Sequence, residues 1–304
     1  MINQTVKNRI EQLHRLYREL SAGNETVLNE IAIAEIPEMV YNSNAIENST
    51  LTLEDTEKIL FENRTPKQAN IREVYEAKNL AKITEYLLEN PAKTLSVKLM
   101  LDLHKILLSN IDDSIAGRFR WGKEWVRVGN HLGANPLFVS GLMEDLVKKY
   151  NTEKPSFFLD AIAFFHAEFE TIHPFCDGNG RIGRVIINQQ LIKLNYPPII
   201  IQNKSKFSDY YPLFTHYATS MKFDGFTALF AALLQEALHK RLTYLTARRI
   251  IPLSLWAKQN SVKGNIAANK AKRQTIPAFR LREKWVISET YRENIDVFDY
   301  FHAK

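Results

Sequence analysis

The chain has 304 residues, of which 45% are hydrophobic and 24% are charged. This composition is typical of soluble globular proteins and excludes the disordered and fibrous classes. A single cysteine, Cys176, rules out an intramolecular disulfide and a zinc site built from several thiolates. The N-terminus lacks a signal-peptide core, and the longest apolar run, "FTALFAALL", is too short to span a bilayer. We therefore expect a cytoplasmic protein without membrane contact.

The net charge of +6 lies at the C-terminal end of the chain. Residues 246–304 contain twelve Lys and Arg against five Asp and Glu, which gives this part +7 and leaves the rest near −1. Such asymmetry suggests a polyanionic partner, although a solvated basic surface is also consistent with it. Near residue 250 the long helical patterns give way to short polar segments, so we expect a domain boundary at 245–250.

Residues 1–245 have the apolar spacing of successive amphipathic helices. In the first helix this spacing places one buried face on Ile10, Leu13, Leu16, Tyr17 and Leu20. Thr52 followed by Asp55 predicts an N-cap, and helices are also predicted at "REVYEAKNLAKITEYLLEN" and "SVKLMLDLHKILLSN". Residues 117–140 break this run with glycines, aromatic residues and alternation at Trp125, Arg127 and Gly129, which predicts a short hairpin or irregular flap.

The stretch "HPFCDGNGRIGR" begins at His173 and ends at Arg184. Pro174 cannot continue the preceding helix, so that helix is predicted to end near His173. Gly178 and Gly180 permit backbone angles that other residues resist, and a new helical period starts at Arg181. A glycine loop that leads into a helix N-terminus is a natural anion site.

Charged side chains in this stretch favour a phosphate ligand. Arg181 and Arg184 lie three residues apart on one helix face, near a terminus where the helix dipole favours acidic residues instead. Asp177 is placed to hold Mg²⁺ beside a phosphate, and His173 is placed to take a proton from an attacking hydroxyl. A capped turn with solvated arginines remains an alternative, as does a thiol pair of Cys176 with His173. No His-Glu-x-x-His or P-loop motif occurs.

The same stretch resembles the Fic/Doc family motif His-x-Phe-x-(Asp/Glu)-Gly-Asn-Gly-Arg-x-x-Arg at every fixed position. The resemblance extends through "YNSNAIENSTLTLED", "GRFR…VGNH", "YPPIII" and "SDYY", over most of residues 35–235. It implies an all-α Fic-fold helical bundle with a short β-hairpin flap. It also implies transfer of AMP from ATP to a Ser, Thr or Tyr hydroxyl of a target protein, with release of pyrophosphate.

The resemblance assigns roles to individual residues. It makes His173 the base, Asp177 the Mg²⁺ ligand and Phe175 an apolar anchor for the loop. The ATP-binding residues that it implies are Asp177, Gly178, Asn179, Gly180, Arg181, Arg184, Tyr210 and Tyr211. Arg184 would hold the γ-phosphate, while the two tyrosines, which match a "DYY" of some relatives, would lie on the adenosine side. The flap at 120–140 would bind an extended segment of the target by strand addition.

A second motif, "SNAIEN" from Ser43 to Asn48, resembles the family's inhibitory pattern (Ser/Thr)-x-x-x-Glu-(Gly/Asn). By this resemblance Glu47 pairs with Arg184 and occupies the place that the γ-phosphate needs. We therefore expect an autoinhibited enzyme of the class with an N-terminal inhibitory motif.

The basic tail resembles a small winged helix-turn-helix of the excisionase type. Leu255 and Ala257 would pack its first helix, "NIAANKAKR" would form the second, and "IPAFR…KWVI" would form the wing. Lys270, Lys272 and Arg273 would then contact DNA phosphates, although such modules also dock proteins.

We therefore predict three regions along the chain. They are an N-terminal helical region with the inhibitory helix at 1–110, a catalytic core at 111–245 and a winged helix-turn-helix-like module at 246–304. Two alternatives to AMP transfer stay open, removal of AMP by the same site and a nucleotide-sensing DNA-binding regulator. A homo-oligomer is also compatible with the helical faces.

Overall fold

The computed structural model describes residues 2–129, 131–153, 155–247, 249–293 and 295–302. It is mostly helical with two small antiparallel sheets, as predicted. The helices are α1 Gln4–Ser21, α2 Glu25–Ile46, α3 Leu53–Phe61, α4 Ile71–Glu89, α5 Val97–Leu107, α6 Val139–Thr152, α7 Phe158–Ile172, α8 Asn179–Lys193, α9 Tyr211–Ser220, α10 Asp224–Thr246, α11 Leu253–Gln259, α12 Gly264–Lys272 and α13 Val297–His302. Within the described residues, none of these helices combines the length and apolarity that a bilayer crossing requires.

The chain divides into two compact units. One unit contains residues 35–195 and 200–227, and therefore includes the motif and the end of α2. The other contains the residues up to 34, residues 196–199 and those from 228 onward. The division at residues 110 and 245 that the sequence suggests stays a prediction.

The unit with the motif is built around one apolar core shared by α4, α5, α7 and α8. Leu80, Leu103 and Phe169 are examples of its fully buried side chains. Because α7 and α8 pack closely against each other, the loop that joins them is fixed at both ends. The motif begins on this loop and continues into the first two turns of α8.

Two local predictions for the helical region are confirmed. Thr52 caps α3 in a capping box, in which its hydroxyl accepts a hydrogen bond from the Asp55 N–H and the Asp55 carboxylate accepts one from the Thr52 N–H. In α1 the predicted face points inward, with Ile10, Leu13 and Leu16 buried and the other two predicted residues, Tyr17 and Leu20, half-buried.

The flap contains the predicted hairpin. Strands β1 Arg127–Val128 and β2 His131–Leu132 pair antiparallel, with Arg127 opposite Leu132 and Val128 opposite His131. Asn130, part of the predicted "VGNH" motif, lies outside the described residues. A 3-10 turn at Pro136–Phe138 then leads into α6.

The C-terminal residues form a three-stranded antiparallel sheet with two helices. Strand β3 Ile250–Pro252 precedes α11 and α12, and the hairpin of β4 Phe279–Leu281 and β5 Lys284–Ser288 follows them in the sheet order β3-β5-β4. The predicted second helix and the predicted hairpin are thus present, whereas the winged helix-turn-helix identity stays a prediction.

One expectation about α11 is wrong. Leu255 is 39% exposed, and the buried side chains of this helix are Leu253, Trp256 and Ala257. The helix buries a large indole, so its inward face is centred on Trp256 and turns Leu255 toward solvent.

Candidate functional site

The end of α7 fixes the backbone of His173. The helix ends at Ile172, and His173 adopts a left-handed conformation with φ of 53° while its N–H donates to the Phe169 carbonyl at 2.9 Å. The buried Arg120 donates to the carbonyls of Ile172 at 2.9 Å and His173 at 2.6 Å. Carbonyls at a helix C-terminus lack partners within the helix, so this guanidinium caps α7 and holds the turn.

The His173 ring is suited to accept a proton. Its Nδ1 lies 3.2 Å from the Glu170 carbonyl oxygen. Because a carbonyl only accepts hydrogen bonds, Nδ1 carries the hydrogen and Nε2 keeps its lone pair. Burial, assisted by His131 and Arg120 and opposed by the hydrogen bond to the Glu170 carbonyl, lowers the pKa of His173 to about 4. The ring is therefore neutral at pH 7, as a general base requires.

The glycine loop differs in one detail from the prediction. Gly178 has φ of 78° and caps α8, which begins at Asn179 and not at Arg181. Gly180 is helical and therefore does not need the unusual angles expected of it. A Cβ atom at Gly180 would overlap the Glu47 carboxylate, so the absence of a side chain here leaves room for that carboxylate.

Buried contacts hold the loop in shape. The Asn179 side chain accepts a hydrogen bond from the Phe175 N–H and donates one to the Phe175 carbonyl, both at 2.8 Å. Phe175 is fully buried, as expected of an anchor, and stacks on the His104 ring with centroids 3.8 Å apart. His104 accepts from the Gly117 N–H, and its Nε2 lies 3.0 Å from the Asp177 carbonyl oxygen, to which it donates.

Asp177 belongs to a cluster of four charged side chains. Its Oδ1 accepts from the Gly178 N–H at 2.6 Å and from Arg181 at 3.0 Å, while Oδ2 accepts from Arg72 of α4. Glu76 links the two arginines, at 3.0 Å from Arg72 and 2.9 Å from Arg181. Asp177 and Glu76 each contact both arginines, and these negative charges offset the repulsion between the two guanidinium groups.

The Asp177 carboxylate could bind a magnesium ion, whose other ligands would have to be phosphate oxygens and water. Mg²⁺ in nucleotide sites is commonly held by one or two carboxylates together with substrate phosphates and water. Asp177 supplies one such carboxylate, and its side chain is about one-third exposed. Among the described residues, no group of three or more His, Cys, Asp or Glu forms a ready protein cage for a metal.

Arg184 is bound to the Ser43–Asn48 segment, which we call the inhibitory segment. Its Nη2 donates to Glu47 Oε1 at 2.7 Å and to the Ser43 carbonyl at 2.8 Å, and its Nε donates to the Ser43 hydroxyl at 3.0 Å. The Arg184 side chain is almost fully buried. The contact that the resemblance implies between Glu47 and Arg184 is thus present in the structure.

The position of Glu47 follows from the way in which α2 ends. The Asn48 N–H donates to the Ala45 carbonyl and the Ser49 N–H to the Asn44 carbonyl, while Asn48 has φ of 69°. This is a Schellman motif, which needs a residue that tolerates the left-handed conformation directly after the C-cap. Glu47 is that C-cap residue, and its carboxylate reaches Arg184.

The two tyrosines of "SDYY" occupy different environments. Tyr210 is 1% exposed, and its hydroxyl lies 2.8 Å from His166 Nε2. Tyr211 is partly buried and donates to the Ile46 carbonyl at 2.8 Å. Their place on the adenosine side of a nucleotide stays a prediction.

Several residues at the site were not predicted from the sequence. Arg120, His104, Glu76 and Arg72 contact the motif, but each comes from a separate segment. Glu170 is a further case, since its Oε1 is buried without a hydrogen-bond partner among the described residues and burial raises the pKa of its carboxyl to about 8. For His104 and Glu170 the sequence does contain a usable signal, because each places a histidine or an acidic residue among the apolar residues of a helix.

Known proteins with similar sequences share this site region. Residues 94–191 match the model of the Fic/DOC family. The chain is 30% identical over 213 residues to the Protein adenylyltransferase Fic of Aedes aegypti, which covers 67% of this chain and 42% of the relative. It is 33% identical over 199 residues to the protein of the same name from Culex quinquefasciatus, covering 63% and 38%. The chain thus spans about two fifths of the length of these relatives.

Solved structures share the fold. A Fic domain containing signaling protein from Bacteroides thetaiotaomicron aligns with a TM-score of 0.68 at 23% identity, over 78% of this chain and 96% of that protein. Fic-1 from C. elegans aligns with a TM-score of 0.65 at 24% identity, over 78% and 71%. The part of the chain that matches the Fic/DOC family, residues 94–191, thus contains α7, the loop and most of α8.

Proposed function

We propose that the protein is an autoinhibited adenylyltransferase that moves AMP from ATP to a hydroxyl side chain of a target protein. The observation that carries this proposal is the arrangement of a neutral His173 and the Asp177 carboxylate on one loop, with two arginines in the first two turns of the helix that follows. The names of the sequence relatives, protein adenylyltransferases, support the same chemistry.

The reaction needs a base and a site for anions. The target hydroxyl oxygen attacks the α-phosphorus of ATP and gives its proton to His173 Nε2. The new oxygen–phosphorus bond forms as the bond between the α-phosphorus and the bridging oxygen breaks, and pyrophosphate leaves. Phosphoryl chemistry of this kind depends mainly on positioning and on stabilisation of charge.

The residues of α8 supply that stabilisation. The helix N-terminus after Gly178 presents backbone N–H groups, and Arg181 and Arg184 add full positive charges within the first two turns. Asp177 would hold Mg²⁺, which when bound would neutralise part of the phosphate charge. For this, the Arg72 side chain must give up Asp177 Oδ2.

The inhibitory segment accounts for control of the reaction. Glu47 and the γ-phosphate are both anions, and Arg184 is their common partner in this proposal. With Glu47 bound, the triphosphate cannot place its end on Arg184, so the α-phosphorus is not held for attack. The protein therefore transfers AMP only when Glu47 leaves Arg184.

The flap is the proposed docking place of the target. Its hairpin has exposed apolar side chains at Val128 and Leu132, and a strand can add to its edge through main-chain hydrogen bonds. Such binding selects for an extended segment more than for a particular sequence.

The proposal is tested with ATP labelled at the α-phosphate, Mg²⁺ and a cell lysate as the source of target. Wild type, Glu47→Gly and Glu47→Gly/His173→Ala are compared by gel. We expect label on protein with Glu47→Gly only.

Thermal melting of all three variants serves as the control for folding. Equal label with and without His173 would contradict its role as base. Loss of label from a modified target, without any labelling by Glu47→Gly, would instead support removal of AMP.

A further inference from the structure

The last turn of α2, which carries Glu47, is held by a lysine from a distant part of the chain. Lys206 Nζ donates to the Ala45 carbonyl at 3.1 Å, to the Ile46 carbonyl at 3.0 Å and to Asn48 Oδ1 at 2.9 Å. An ammonium group has three donors, so all of them are used here. Lys206 as a whole is 9% exposed, which makes this a buried and fully bonded cation.

The three acceptors lie on both sides of Glu47. Ala45 and Ile46 precede it in the final helical turn, and Asn48 follows it as the left-handed residue of the Schellman motif. Carbonyls at a helix C-terminus carry partial negative charge and favour a cation close to them. The three bonds of Lys206 therefore lie on the backbone turn from which Glu47 reaches Arg184.

Other bonds tie the same two segments together. Tyr211 donates its hydroxyl hydrogen to the Ile46 carbonyl at 2.8 Å, and the Asn203 N–H donates to Asn42 Oδ1 at 2.9 Å. Lys206 opens a π-helical turn, Lys206–Tyr210, that links these two contacts. Turns of this kind are rare and frequently occur at functional sites.

We propose that Lys206 is the residue that keeps the inhibitory segment closed on Arg184. The inference rests on the proposed function, because it assigns a control element of the same site. Lys206 is a positioning residue for Glu47, since none of its three hydrogen bonds goes to His173, Asp177 or Arg184.

Loss of the Lys206 ammonium group would shift the balance between closed and released segment. Hydrogen bonds to a charged group are strong enough that the loss of one changes an equilibrium about tenfold. Closed and released states of a small segment interconvert, so basal activity measures the released fraction. We therefore expect Lys206→Met to raise basal AMP transfer about tenfold or more.

The experiment compares initial rates of AMP transfer, with labelled ATP and lysate, for five proteins. They are wild type, Glu47→Gly, Lys206→Met, the double variant Glu47→Gly/Lys206→Met, and the matched control Lys222→Met, which removes an exposed lysine of the same unit. We expect Lys206→Met to be active, Lys222→Met to resemble wild type, and the double variant to equal Glu47→Gly.

Two results separate this inference from the proposed function. If Glu47→Gly is active while Lys206→Met stays at the wild-type rate, the role of Lys206 is overturned and the proposed function stands. If neither is active, the proposed function fails as well. The double variant could lose the activity of Glu47→Gly through damage to the fold, and in that case Lys206→Gln is measured. A basal rate of Lys206→Gln above that of wild type supports the inference, and an unchanged rate overturns it.

Discussion

At the scale of single residues, the site combines a buried neutral base with paired charges. Nδ1 of His173 is bound to the Glu170 carbonyl, and its pKa is far below that of a free imidazole. Asp177 and Arg184 are each bound to opposite charges. The groups that would act on ATP are thus held in place by protein contacts, and in the proposed function the γ-phosphate would replace the Glu47 carboxylate on Arg184.

The pKa of His173 makes a prediction for the pH dependence of the reaction. A base with pKa about 4 is unprotonated across the neutral range, so protonation removes activity only near that value. The transfer rate of Glu47→Gly should stay flat from about pH 8 to about pH 6 and fall near pH 4 to 5. Initial rates across this range check the expectation, and an acid limb near pH 6.5 would contradict it.

Glu170 makes a prediction for stability. Burial raises the pKa of its carboxyl to about 8, so the folded protein keeps a proton that the unfolded chain loses above its ordinary value of 4.5. Stability from this group is full below pH 4.5 and is lost as the pH rises toward 8. Glu170→Gln should therefore raise the melting temperature more at about pH 8 than at about pH 5. Equal shifts at both values would show that Glu170 is charged in the fold.

At the scale of elements, the ends of helices set the geometry of the site. α7 ends in a left-handed His173 capped by Arg120, α8 begins at a left-handed Gly178, and α2 ends in a Schellman motif around Glu47. Each end depends on a residue that accepts an unusual backbone conformation. The functional side chains therefore come from helix termini, where polar backbone groups are also available.

The α2 terminus can be tested through Asn48, whose φ is 69°. Glycine adopts this conformation freely, whereas a β-branched residue does so at a cost of about 1–2 kcal/mol. Asn48→Val should therefore loosen the helix end and raise basal AMP transfer several-fold. Asn48→Gly, which keeps the conformation but loses the bond to Lys206, should raise it less. This account of the turn is contradicted if Asn48→Val transfers AMP no faster than wild type and has the same melting temperature.

Much of this architecture follows from sequence pattern, and the rest depends on contacts between distant segments. Apolar spacing predicts the buried face of α1, and Pro174 predicts the end of α7, because both effects act within a few residues. The role of Lys206 depends on residues about 160 positions away, which no local pattern contains. Leu255 was misplaced because α11 is a short helix whose apolar residues allow more than one inward face.

At the scale of the whole molecule, the residues that match the Fic/DOC family model are followed by a basic C-terminal stretch, for which we predict a separate module. Lys272 and Arg273 are exposed at the end of α12, whereas Lys270 is paired with Glu293 at 2.8 Å. If the predicted winged helix-turn-helix binds DNA, these two exposed cations are where we expect it to contact the phosphates.

The module makes its own prediction. If it binds duplex DNA, Lys272→Glu/Arg273→Glu should weaken binding at least tenfold and reduce its dependence on salt. Fluorescence polarisation with a labelled duplex at several salt concentrations measures both quantities. Lys67→Glu/Lys222→Glu, which reverses two exposed lysines elsewhere, is the matched control. Equal binding by both double variants would exclude these two residues of α12 as the contact.

The most direct measurement compares the initial rate of AMP transfer by wild type and by Glu47→Gln. This substitution keeps the size of the side chain and removes only the charge that faces Arg184. If the carboxylate of Glu47 holds the enzyme inactive, Glu47→Gln should transfer AMP at least tenfold faster than wild type, and His173→Ala should abolish that gain. A folded Glu47→Gln that is as silent as wild type, alongside an equally silent Glu47→Gly, would contradict inhibition by Glu47.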